Sequence, residues 1–423
     1  MKFAFVAPRY GAEITSGPEH ACRMLAEHVA TRHEVDVLST CARDPESWKN
    51  EYAEGADRVR GVVVRRFPVA QRHDRSALEQ VAARLREGPR ARSDELEWVR
   101  RLGPSTPALI EFLKRQHRGY DALVFCSLEH ATTVEGIQVA PDRSILIPYL
   151  QLRPELRFGL WAEVISTAGA VGLMAAPERQ LLRSYIGVRP RYDEIVGVGI
   201  DPPPQLAYPR HQQDPADSIV TDDTTGTGDA ASEPEPWYST GRGMTFRRRH
   251  RLYGSFALYG GRVERDNGCE EMLAYFGSDT AGPPMPLVLM GAKMIRVPDQ
   301  PQTMLAGVLP DRERMAAYEA ADVTLAPAPD DLLAQATLES FAVGTPVLAS
   351  ARNDAAVEHC RRANAGLYYA DRDEFVEALR MLAAQPALRD ALGENGRQYV
   401  RQHYRWEDVL GRFDRLVARV RRS

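Results

Sequence analysis

The residue types best suited to chemistry cluster late in the chain, in PAPDDLLAQATLESFAVGTPVLAS (327–350). Asp331 and Glu339 stand eight apart. On a helix that is a little over two turns, so the spacing predicts both carboxylates on one face. Asp331 falls at the predicted helix entrance, with Leu332 and Leu333 beside it. Unpaired backbone N–H groups at such an entrance favour an anion. A diphosphate cradle, with a carboxylate further along the helix to accept hydroxyl hydrogen bonds, is what holding a nucleotide-sugar requires.

The elements that must position these groups are readable from apolar patterning. KFAFV, EVDVLST, GVVVRRFPV, ALVFCS, ILIPYL and VGLMAAP are short apolar runs separated by helical segments or turns, and IVGVGIDPPP (195–204) reads as a last strand and exit. A second alternation starts near Leu252 with ALYGGRV and runs through PLVLMG, MLAGVL, VTLAPA, PVLAS and GLYYA. Strands alternating with helices predict parallel, doubly wound sheets. The expected fold class is α/β, with two Rossmann-like domains facing across a cleft. The expected divisions are a first domain over 1–204, an insertion over 205–251, a second domain over 252–400 and a terminal helix over 401–423. The stretch HQQDPADSIVTDDTTGTGDAASEPEPW is acidic and rich in small residues. It buries too little apolar area to offset its ordering entropy, so the insertion is expected to be disordered. The basic FRRRHR at its end is expected to be a solvated face.

Composition excludes several function classes. A net charge of −4 over 423 residues gives no general field for nucleic acid. Cys22, Cys41, Cys126, Cys269 and Cys360 form no C-x-x-C pair, which argues against zinc and fits a reduced, cytoplasmic compartment. No acidic Asp-x-Asp-type cluster ends a strand, so no metal or other cofactor is expected. No apolar run approaches the roughly 20 residues that span a bilayer.

With these residues in view, the chain resembles the family 4 glycosyltransferases of the GT-B architecture. The carriers are the small-residue loop with Ser16 and Gly17, VGVGID, YGGRVERDNG, the DDLLAQATLES…GTPVLAS block and the closing YRWEDV. The resemblance covers nearly the whole chain apart from the insertion. It implies a retaining transfer of a sugar from a nucleoside diphosphate-sugar to a glycan or lipid-linked acceptor, in polysaccharide or glycolipid assembly. It further implies that Glu339 binds the ribose hydroxyls, that Asp331 faces the donor sugar in place of a glutamate, and that Arg262 binds the diphosphate. Ser16 and Gly17 would let backbone approach the phosphate, and the loop around Leu332 and Leu333 would line the donor. The family lysine is Asn267 here, and Lys293 is the nearby cation able to substitute. The acceptor-side histidine run is replaced by PYLQLRPEL, with Gln151, Leu152 and Arg153, and His130 is the other strand-end candidate.

These departures leave two readings. One charge-assisted hydrogen bond is worth roughly 1.5–3 kcal/mol, so losing the lysine alone costs about 10- to 150-fold in rate. The first reading is an active transferase. The second is a degenerate GT-B chain that partners or regulates another transferase. A third expectation concerns place: the basic segments LREGPRARSDELEWVRRLGP and FLKRQHRG suit peripheral contact with the inner face of an anionic membrane.

Overall fold

The computed structural model describes residues 1–14, 17–88, 90–150, 152–201, 242–277, 283–299 and 302–421. Two sheets form. The first contains β1 (Lys2–Val6), β2 (Glu34–Thr40), β3 (Gly55–Val59), β4 (Val62–Phe67), β5 (Ala122–Cys126), β6 (Ser144–Ile147), β7 (Ala170–Leu173) and β8 (Asp193–Ile195). Their order is β3-β4-β2-β1-β5-β6-β7-β8, all parallel except β3 against β4. The second contains β9 (Ala257–Gly260), β10 (Leu287–Met290), β11 (Thr303–Gly307), β12 (Val323–Ala326), β13 (Val347–Ser350) and β14 (Gly366–Tyr369). It is parallel throughout, in the order β11-β10-β9-β12-β13-β14.

Parallel strands covered on both faces must be apolar along their whole length. β5, β10 and β13 are buried at every residue. The winding reverses between β1 and β5 in the first sheet and between β9 and β12 in the second. Ligands bind in the crevices outside the carboxyl ends of the strands at such reversals. The segments leaving β1, β5, β9 and β12 carry Gly17, His130, Arg262 and Asp331, so the topology brings these residues to the two crevices.

The last helix, Trp406–Arg421, lies on the first sheet. Phe413 is fully buried against Phe3, edge-on at 5.8 Å, and Phe5, stacked at 6.1 Å. Trp406 stacks on His28 with ring centroids 3.7 Å apart. The helix thus joins the end of the chain to its first strand.

Two expectations need correction. The run 195–204 is not a strand over its length: β8 ends at Ile195. The end of the expected disordered insertion is a helix, Arg242–Arg249. Phe246 is buried against the second domain, and Arg247 donates to Asp322 at 3.0 Å, so FRRRHR has both an apolar anchor and a charge partner. The acidic part of the insertion, 202–241, lies outside the described residues.

Truncating Phe413 to alanine removes a buried ring from the contact between the last helix and β1. The expected cost is about 3–5 kcal/mol, measured as a lowered urea midpoint together with early proteolysis after Tyr404. An unchanged midpoint would mean that the helix is not part of the first domain's cooperative unit.

Candidate active site

Glu339 lies on the helix Gln335–Val343, which follows β12, and is 5% exposed. Its Oε1 accepts from Arg314, at 2.9 Å, and from Gln335 Nε2, also at 2.9 Å. Burial pushes the carboxyl up, while the Arg314 charge and the Gln335 bond pull it down. Arg314 comes from the helix Asp311–Ala320 and also reaches Asp311 at 3.5 Å. The Gln335 amide continues to His20 Nδ1 at 3.3 Å. His20 sits on the helix Gly17–Val29 of the first domain, is buried, and has no partner for Nε2 among the described residues. Burial, with the Arg314 and Arg23 charges, lowers its pKa to about 4. The first domain therefore touches the carboxylate's own hydrogen-bond partner.

Asp331 is not on this helix. Ala334 takes a left-handed conformation, φ 44° and ψ 32°, which starts the helix at Gln335 and leaves Asp331 in the preceding loop. The expectation of two carboxylates on one helix face is therefore wrong. Asp331 Oδ1 accepts the N–H groups of Leu333, at 3.2 Å, and Ala334, at 3.1 Å, while burial raises its pKa. The Leu332 N–H is also used, by Asp330 O at 3.1 Å. The side chains of Leu332 and Leu333 pack against the first domain. So the loop does not present free N–H groups at these positions; it seals the base of the cleft.

Arg262 follows β9, half-exposed, with its guanidinium on Glu264. Its carbonyl accepts from Tyr259 Oη at 2.8 Å and from Asn267 Nδ2 at 3.0 Å. Asn267 also donates to Glu264 Oε1 at 3.0 Å. Both Asn267 bonds thus close its own loop. Gly268 follows at φ 69°, where an added Cβ would stand 2.5 Å from Pro327 O. Only glycine lets the loops after β9 and β12 meet this closely.

Lys293 is exposed and joined to Val263 by a single parallel bridge. Gly291, at φ 144°, makes this possible: a Cβ there would be 1.9 Å from Gly261 O. Two cations, Arg262 and Lys293, thus leave adjacent strand ends.

On the facing domain, Gly17 has φ 75° and opens the first helix. The first turn already holds an anion of its own, because Glu19 pairs with Arg9 at 2.8 Å. His130 follows β5, and its Nδ1 meets Ser127 Oγ at 2.8 Å. Burial lowers its pKa to about 4, and the charges of Glu19, Arg9 and Arg153 act on it. Arg153 also acts on Asp330 of the second domain, which places Arg153 near that domain's loop. Ser16 and Gln151 lie outside the described residues. Among the described residues no group of three His, Cys, Asp or Glu is placed to hold a metal ion.

Sequence reasoning missed Arg314, Gln335, His20 and the Arg9–Glu19 pair. Gln335 was detectable, four residues before Glu339 on one helix face. Arg314 had no local signal.

A family model described as glycosyl transferase-like matches residues 276–414. Sucrose-phosphate synthase from Thermosynechococcus elongatus has the same fold, with a TM-score of 0.66 at 17% identity over 99% of this chain and 98% of that one. HepE from Anabaena, in complex with UDP and glucose, gives 0.68 at 12% identity over 99% of both. WaaG, a glycosyltransferase involved in lipopolysaccharide biosynthesis, gives 0.59 at 15% identity over 98% and 99%. The fold is the GT-B architecture of these solved structures, as the motifs led one to expect.

His20 binds its proton more readily unfolded than folded. Its contribution therefore leaves stability intact above its ordinary value of 6.5 and removes it as pH falls towards 4. Replacing His20 with Gln is expected to relieve about 2 kcal/mol of the acid loss near pH 4.5. Urea midpoints of both proteins at neutral and acid pH check this. Equal losses in the two would contradict the buried, neutral histidine.

Proposed function

We propose that this protein is a glycosyltransferase that binds the nucleotide of its donor in the crevice between β9 and β12 and transfers the sugar with retention to an acceptor hydroxyl in the facing crevice. Glu339 carries this reading. It is a buried carboxylate with one oxygen held by two donors and the other outside those bonds. A ribose offers the two hydroxyls such an oxygen can accept. Arg262 and Lys293, on adjacent strand ends, supply positive charge for the diphosphate. As the C1–O bond to the diphosphate breaks, charge grows on its oxygens, and fixed cations there stabilise the transition state. The acceptor oxygen bonds to C1 and its proton passes to the departing diphosphate. His130, neutral at physiological pH, orients the acceptor through Nε2 while Nδ1 stays on Ser127. No metal is required in this scheme.

The HepE complex supports uridine diphosphate as the first nucleotide to test, and WaaG supports a glycan or lipid-linked acceptor. The basic surface between 75 and 116 gives weaker support to a membrane role. Arg84, Arg86, Arg92 and Lys114 pair with Glu97, Glu79, Glu163 and Glu111, which reduces their attraction for an anionic surface. No helix among the described residues is long and apolar enough to cross a membrane.

One observation favours the second reading, a chain that binds nucleotide without transferring sugar. Glu264 occupies Arg262, and Asn267 carries no charge to replace the missing lysine. Calorimetry with uridine, guanosine and deoxythymidine diphosphates, followed by transfer assays, separates the two. Arg262→Ala and Glu339→Ala are each expected to weaken nucleotide binding about 10-fold or more. Lys293→Ala is expected to weaken nucleotide binding by at least a comparable factor and to lower kcat about 10- to 150-fold. Nucleotide binding with no turnover on any acceptor would establish the second reading.

A further inference from the structure

Glu339 is not an isolated acid. Its partners form a chain of contacts that starts and ends in the first domain. Arg60, in the β3–β4 turn, reaches Asp311 at 3.5 Å; Asp311 reaches Arg314 at 3.5 Å; Arg314 holds Glu339. From Glu339 the chain passes through Gln335 to His20. The outer Arg60 link is exposed, and such pairs contribute little. The links from Arg314 through Glu339 and Gln335 to His20 are partly buried, and each lost hydrogen bond there is felt more than at the exposed Arg60 end.

A purely structural ion pair would need neither the glutamine nor a histidine from the other domain. The Gln335 amide must turn its NH₂ group to the carboxylate, and this fixes the amide's orientation. Either tautomer of His20 can meet that amide, and either leaves Nε2 buried without a partner. Buried polar atoms are normally paired. His20 Nε2 shares this state with other buried side-chain atoms, among them Tyr10 Oη and Trp406 Nε1, so what distinguishes His20 is its contact with Gln335 across the two domains.

We infer that Arg314, Gln335 and His20 are positioning residues for Glu339. Arg314 and Gln335 hold one carboxylate oxygen so that the other faces the ribose, and His20 makes that arrangement depend on contact between the two domains. This rests on the ribose role of Glu339 proposed above. It adds that affinity for the sugar-bearing half of the nucleotide is set by residues that touch no part of it.

The test compares uridine diphosphate with its 2′,3′-dideoxy analogue by calorimetry on the full-length protein. Wild type is expected to prefer the ribonucleotide about 10-fold or more. In Arg314→Met and Gln335→Leu the preference should fall to about twofold or less, while dideoxynucleotide affinity stays within about twofold and so reports an intact fold. Arg314→Lys should restore part of it, because the charge returns. His20→Asn touches neither Glu339 nor Arg314 and should lower the preference by a smaller factor. It keeps the test open if the Arg314 variant fails to fold. Wild type with no preference, or with no nucleotide binding, would overturn the ribose role itself. A wild-type preference kept in full by Gln335→Leu and His20→Asn would overturn the positioning relay and leave the ribose role standing.

Discussion

A carboxylate that is 5% exposed is favoured in its ionised form by a cation beside it, and in this fold Arg314 takes that place for Glu339. Removing either partner leaves a buried charge uncompensated, which costs more than the pair itself contributes. Much of the second domain can be understood as placing these two groups. The helix Asp311–Ala320 packs Ala317 and Tyr318 into the core and so fixes Arg314. The helix Gln335–Val343 is buried along Thr337–Val343, so Glu339 cannot turn away to water. The carboxylate is therefore held in one orientation before any ligand arrives, which lowers the entropy cost of binding.

The charges around the proposed diphosphate position are arranged differently. Arg262 carries a counter-charge, Glu264, and in the first domain Arg9 has Glu19. A diphosphate entering here exchanges one ion pair for another rather than filling an empty positive site. Net gain from such an exchange is small unless the arriving anion has better geometry, as a bidentate phosphate does for Arg. Lys293 has no ion pair among the described residues, so it offers charge without that exchange. On the function proposed above, a rigid Glu339 end and an electrostatically balanced Arg262 end suit release of the nucleotide after each turnover.

The fold was legible because parallel strands buried on both faces leave continuous apolar runs, and these runs mark nearly every strand of both sheets. β3, GADRV, is exposed at four of its five residues and carries no such signal. At the site, Glu339 was readable from its helix and from the Gly-Thr-Pro turn that follows. Asp331 was misplaced because a helix register cannot reveal Ala334 in a left-handed conformation. Asn267 was singled out because its position matches a family lysine; its bonds to its own loop, to Arg262 O and Glu264, were not legible from that match. Arg314 lies 25 residues from Glu339 and meets it only through the packing of two helices, so no local pattern announces it. The Phe246 helix was hidden by its neighbours' composition: one buried aromatic and two ion pairs, Arg247 with Asp322 and Arg249 with Glu313, dock a basic octapeptide.

The most direct measurement is a crystal structure of the full-length protein with uridine diphosphate bound. The expected result has the ribose hydroxyls on the second oxygen of Glu339, Arg314 and Gln335 still on the first, and the phosphates between Arg262 and Lys293. A nucleotide bound elsewhere, or in that crevice with its ribose away from Glu339, would contradict the central claim that this buried carboxylate is the donor's anchor.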